Sequence, residues 1–187
     1  MSAQVIYLVR HGRTPLNAEG RIRGHEDPEL DEVGLGQAAA LGEHFATAAL
    51  DWVTSSPLRR ARQTAGAIAT RHRLEADVDA QFQDRDYGRW AGELTSEVVG
   101  RFGSVDAAPG VEPWGAFRDR VAESFGALVL EEPAGPGLVV GHDAVNRAIL
   151  EALFGLDPAT TPQRTGCWNE LHHNGKAWEA VRIDQLP

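Results

Sequence analysis

Two apolar runs, each leading straight into a histidine, constrain the fold of this chain more than anything else in it. Val5-Ile-Tyr-Leu-Val9 is continuous, apolar and rich in β-branched residues, and it opens into Arg10-His11-Gly12. Leu138-Val139-Val140 opens into Gly141-His142 in the same way. A run with no polar alternation reads as a strand buried on both faces, as in a parallel sheet covered by helices. The intervening sequence supplies the helices. Leu35, Ala38, Leu41 and Phe45 recur at helical spacing and predict a helix over residues 33–48. Residues 52–54 read as a short strand. Leu58, Ala61, Ala65 and Ile68 then give a second helix, with Ser56 as its N-cap and Pro57 at its first position. Residues 100–113, rich in Gly, Pro, Ala and Asp, read as a loop. Trp114, Phe117, Val121, Phe125 and Leu128 mark a long helix broken at 133–137, residues 144–154 another, and residues 177–183 alternate as an edge strand. Alternating strands and helices make an α/β sandwich with a mostly parallel central sheet. Ligands in such sheets sit beyond the carboxyl ends of the strands. His11 and His142 are both there.

Composition excludes several classes. The chain has 187 residues, which suits a single domain over 1–187 with a small lid at about 92–113. Eighteen basic against 27 acidic residues give a net charge of −9, which argues against broad nucleic-acid or anionic-membrane binding. No apolar run approaches the roughly 18 residues of a membrane helix. Residues 1–4 carry no basic segment, and the apolar run that follows is too short for a signal-peptide core. Cys167 is the single cysteine, so there is no internal disulfide and no cysteine-based zinc site. A reducing, cytoplasmic location is therefore expected. Lys176 is the single lysine, and arginine is the better bidentate phosphate ligand.

Taken alone, Arg10-His11-Gly12 reads as a surface turn, but its neighbours change that. A neutral imidazole is a competent nucleophile, and nearby arginine charge favours the neutral form. Asn17 and Gly24 follow in a polar loop. Ser55-Ser56-Pro57-Leu58-Arg59-Arg60-Ala61 closes one strand and opens a helix, and a helix N-terminus with arginines is an anion site. The bland readings are a well-capped helix with a solvated arginine face, and a capping or core role for His142.

Leu8-Val9-Arg10-His11-Gly12-Arg13-Thr14 with Asn17, the stretches 55–65 and 84–92, and Val139-Val140-Gly141-His142 stand in one order and cover most of the chain. In these segments the sequence resembles the histidine phosphatase superfamily, also called the phosphoglycerate mutase-like family. The resemblance implies a three-layer α/β/α sandwich of the phosphoglycerate mutase-like kind and no metal or other cofactor. It implies His11 as the nucleophile that becomes phosphohistidine. Arg10, Arg60 and His142 would hold the phosphoryl group, helped by Asn17 and Gly24. Arg59 would lie off the site.

The proton donor departs from the family pattern. The family usually has Glu a few residues before an aromatic-glycine pair. Here that pair is Tyr87-Gly88, and the matching position is Asp84, one methylene shorter. Asp86 and Glu93 are alternatives, and Asp84 also reads as a turn-forming residue. A second departure is Asp143, where a small residue is more usual. It either raises the pKa of His142 or simply caps the following helix. Trp90 reads as a substrate-stacking ring or as a packed core indole. His172-His173 falls in an expected turn.

The implied function is a metal-independent phosphatase acting on a small phosphate monoester. From Gly92 to Gly141 the chain must supply a long helix and a strand, which leaves little for the lid a mutase uses to exclude water. The alternatives are a phosphoglycerate mutase-type phosphotransferase and a non-catalytic phospho-ligand or protein-binding module. The edge strand offers a route to a homodimer.

Overall fold

The computed structural model describes residues 3–131 and 135–187. Its centre is one six-stranded sheet in the order β3-β2-β4-β1-β5-β6. These strands are β1 (Ala3–Arg10), β2 (Trp52–Ser55), β3 (Ala76–Val78), β4 (Gly137–Gly141), β5 (Trp168–Asn174) and β6 (Trp178–Gln185). β1 runs parallel to β4, β4 to β2 and β2 to β3, while β5 and β6 close one side antiparallel. The sheet is thus mostly parallel, as the apolar runs require.

Strand alternation divides the core in two. Ile6 and Leu8 of β1 and Val139 of β4 face one cluster with Phe117, Val121, Phe125, Val145 and Ile149. Those partners come from α5 (Trp114–Glu131) and α6 (Asp143–Phe154). Val9, Leu138 and Val140 face the other cluster with Leu41, Phe45, Ala61, Ala65 and Ile68. These belong to α2 (Glu32–Phe45) and α3 (Arg59–His72). The result is helices, sheet, helices. Phe117 is fully buried, and truncating such a ring to Ala costs about 3–5 kcal/mol.

A third cluster of Ile22, Trp90, Val98 and Ala108 lies under the loops. It ties the segment after α1 (Pro15–Ala18) to α4 (Thr95–Phe102), and Arg21 bridges Leu94. Trp90 is a core indole here: it is buried, donates from Nε1 to Pro109 O at 2.9 Å and packs on Phe102. Residues 100–113 are thus only partly loop, since α4 runs through Gly100 and stops at Gly103, whose φ is 82°.

Three local expectations need correction. Ser56 does not cap α3, because Leu58 is still extended and the helix starts at Arg59. Asp143 does not cap α6, because His142 occupies that position and Asp143 is the first helical residue. His172-His173 lies in β5, not in a turn. That strand carries polar residues because they are paired: Glu170 meets both Arg182 and His172, and Asn169 bonds Gln163. The expected helix break at 133–137 falls partly on 132–134, outside the described residues.

Candidate active site

The site is built at the carboxyl ends of β1, β2 and β4. His11 continues the parallel ladder by donating its N–H to Gly141 O at 3.1 Å. Its Nδ1 lies 2.6 Å from Gly12 O, and a carbonyl can only accept, so Nδ1 carries the proton. Nε2 then presents its lone pair, and Arg60 Nε donates to it at 3.2 Å. Burial holds His11 well below the usual imidazole pKa, with Arg60 and Arg10 adding to the effect. The ring is a neutral base with a defined tautomer. Gly12 has no room for a side chain, since a Cβ there would lie 2.5 Å from Gly34 O. This contact, with the Gly12 N–H donating to Thr64 Oγ1 at 3.1 Å, locks the turn.

His142 ends β4 with its ring centroid 5.1 Å from that of His11. Its Nε2 lies 2.8 Å from Ser56 Oγ. Ser56 Oγ also accepts from the Leu58 N–H at 3.3 Å and can donate its own proton to Nε2, the arrangement that turns an N–H rather than a lone pair towards the Asp84 carboxylate. Nδ1 of His142 is then the protonated nitrogen. It is buried without a hydrogen-bond partner, 3.8 Å from Asp84 Oδ2. Burial, then Arg60 and His11, hold His142 well below the usual imidazole range. The expectation that Asp143 makes it cationic is therefore wrong. The Asp143 carboxylate turns to Arg23, at 3.3 and 3.4 Å from Nη2. Burial works against the Asp143 charge, yet Arg10, Arg23 and Arg147 hold its carboxyl well below the usual range.

Arg60, fully buried, knits the site together. Besides His11 it donates to Glu26 O at 2.6 Å, to Gly24 O at 2.9 Å and to Asp84 Oδ2 at 3.1 Å. Gly24 thus acts through its carbonyl. Its φ is 50°, and a Cβ would lie 2.9 Å from the Tyr87 ring. Arg10 is buried, donates to Gln163 O and keeps a buried Nε without a partner. Asn17 stands on α1, where its Oδ1 accepts from Thr14 N at 3.1 Å and Thr14 Oγ1 at 2.8 Å. Arg59 is exposed and pairs with Glu29, off the site.

Asp84 is 1% exposed, the carboxylate that meets both Arg60 and His142. The neighbouring residue holds it in place. Oδ1 accepts the Arg85 N–H at 2.9 Å, and Arg85 is anchored to Glu112 O at 2.7 Å. Burial raises the Asp84 pKa against the opposing pull of Arg60. Asp86 and Glu93 are exposed, and Asp86 caps the Gly88 N–H.

Arg23 and Ser56 are the site residues that sequence reasoning missed. Ser56 was visible beside the motif but read as a cap. Arg23 stands next to Gly24, yet its partner Asp143 is 120 residues away.

Two buried imidazoles, two buried guanidiniums and a buried acid thus meet at the strand ends of an α/β sheet. Residues 6–185 match the model of the histidine phosphatase superfamily, branch 1, and the chain belongs to that family. The uncharacterized phosphatase PhoE of Bacillus subtilis is 29% identical over 92% of this chain and 90% of its own length. A probable phosphoglycerate mutase, GpmB, of Citrobacter koseri is 35% identical over 85% of this chain and 78% of its own. The structure of mycobacterial glucosyl-3-phosphoglycerate phosphatase with VO3 superposes with a TM-score of 0.88 at 26% identity, covering 97% of this chain and 98% of that one. The phosphoglycerate mutase-like fold is thereby established. Among the described residues no helix is long and apolar enough to cross a membrane.

Proposed function

We propose that this chain hydrolyses a small phosphate monoester through a phosphohistidine on His11, without a metal. The observation that carries this reading is the His11 ring. It is neutral, its Nδ1 is locked on Gly12 O, and its Nε2 accepts from Arg60, which also holds the buried acid. In the first step Nε2 attacks phosphorus as the ester P–O bond breaks. Arg10, Arg60 and the Nδ1–H of His142 take the charge on the non-bridging oxygens, with Asn17 offering its side-chain amide. Asp84, whose raised pKa favours the protonated form, gives its proton to the leaving alkoxide. In the second step the Asp84 carboxylate takes a proton from water, which attacks phosphorus and frees His11. A mutase is the second reading, favoured by the GpmB relative. Against it, residues 92–113 supply only one short helix as cover.

The test is steady-state hydrolysis of p-nitrophenyl phosphate in the presence of EDTA, with His11→Ala alongside. Wild type is expected to turn over and His11→Ala to lose activity to background. Equal rates in both would overturn the reading. Asp84→Asn should lose roughly 100-fold or more on alkyl phosphates and far less on p-nitrophenyl phosphate, whose leaving group needs little protonation. Equal losses on both would remove Asp84 from the role of acid.

A further inference from the structure

Beside the phosphate site lies a cleft of about 450 Å³, a size suited to a small ligand. Arg23 and Asp143 line it, so it is continuous with the catalytic groups. Its remaining charges do not balance. Three guanidiniums (Arg23, Arg85 and Arg147) face two carboxylates, Asp143 and Asp106. Asp143 is taken by Arg23, and Asp106 by Arg85. Arg85 is further fixed by Glu112 O and lies 5.7 and 5.5 Å from the ring centroids of Tyr87 and Trp114. Arg147 stands one turn after Asp143 on α6, which places both on the same face. Among the described residues its side chain makes no hydrogen bond and no ion pair within 4 Å, although its charge also acts on Asp143, and its Nε is buried without a partner. An unmet guanidinium at a cleft wall is costly, and an oxyanion that accepts from its Nη groups removes that cost.

We propose that the alcohol part of the substrate carries a second oxyanion, a carboxylate or a further phosphate, and that Arg147 binds it in this cleft. The proposal rests on the phosphatase reading and names the substrate class for the same site. Trp114 leaves an aromatic wall for the carbon skeleton between the two acidic ends. Arg147 is then a specificity residue. Its contact with the second acid selects the ester, while His11 and Asp84 do the chemistry.

Two matched substrate pairs test this and separate the two acids. Phosphoglycolate against ethyl phosphate reads a carboxylate, and fructose 1,6-bisphosphate against fructose 6-phosphate reads a second phosphate. Wild type is expected to favour the acidic member of at least one pair by roughly 10- to 100-fold in kcat/KM, the range of a charge-assisted contact. Arg147→Met, which keeps an apolar stem, should erase that ratio, and Arg147→Lys should restore part of it. A thermal melt confirms that each variant is folded. A wild type with no preference in either pair, or a ratio that survives Arg147→Met, overturns the proposal alone. Absence of any turnover of p-nitrophenyl phosphate overturns the phosphatase reading and this proposal with it.

Discussion

Ser56 holds one nitrogen of the His142 ring and leaves the other turned towards Asp84. Its hydroxyl sits 2.8 Å from Nε2, fully buried, so the opposite N–H is aimed into the site. Removing it leaves a buried ring nitrogen unpaired and frees the tautomer. Ser56→Ala is therefore expected to lower kcat roughly tenfold with a smaller change in KM, from about 1–2 kcal/mol of lost orientation. Stopped assays over a range of substrate concentration and pH would show it. An unchanged kcat and pH profile would mean that the ring is held by packing alone. The two histidines were legible in the sequence because each stands at a strand end, and Arg60 was chosen over Arg59 through the family resemblance. The role of Ser56 was not legible, because a serine before proline at a strand end serves a helix cap equally well. The pairing of Asp143 with Arg23 was hidden for another reason: a contact across 120 residues leaves no local signature.

At the scale of elements, the His11 turn depends on how closely it approaches the start of α2. A Cβ on Gly34 would lie 2.0 Å from Arg13 O, and both contacting atoms are backbone. Neither can rotate aside. Gly34→Ala should cost about 2 kcal/mol or more and slow turnover by displacing the turn. Gly36→Ala, on the same helix with nothing within 4 Å, should instead be neutral or gain up to about 1 kcal/mol. Urea unfolding of the two variants is the comparison. Equal effects would mean that the turn yields to α2. Apolar strands and amphipathic helices were readable from their periods. β5 was not, because its buried residues include paired polar groups such as Asn169 and Glu170, which break the apolar pattern.

The whole molecule carries two buried imidazoles that are neutral when folded, and this couples its stability to acid. For His11 and His142 the folded pKa lies well below the unfolded value near 6.5. Below that value the unfolded chain binds protons that the folded chain refuses. Their contribution is complete above about pH 6.5 and is lost progressively as pH falls from there towards the folded values. Asp84 acts in the opposite direction, since its raised folded pKa favours folding most at low pH and gives way as pH rises through that folded value. With two histidines against one aspartate, melting temperature should fall between about pH 7 and pH 5. The slope should be shallower in His142→Gln. A melting temperature that is flat in wild type would mean that the histidines gain protons without unfolding. The acidic body does not conflict with an anionic substrate. The net charge is −9, yet Arg10, Arg23 and Arg60 gather positive charge in one place.

The position of β1 also bears on how the chain is made. It lies mid-sheet, and both its neighbours, β4 and β5, come from the last third of the sequence. On the ribosome, β1 emerges before either neighbour and waits with both edges open while more than 120 further residues are translated. The nascent chain must keep that apolar segment from pairing elsewhere, a task suited to a holding chaperone. His11 leaves the tunnel long before His142 and meets it only after more than 120 further residues. A chain stalled before β4 would hold His11, Arg60 and Asp84 and still have no site.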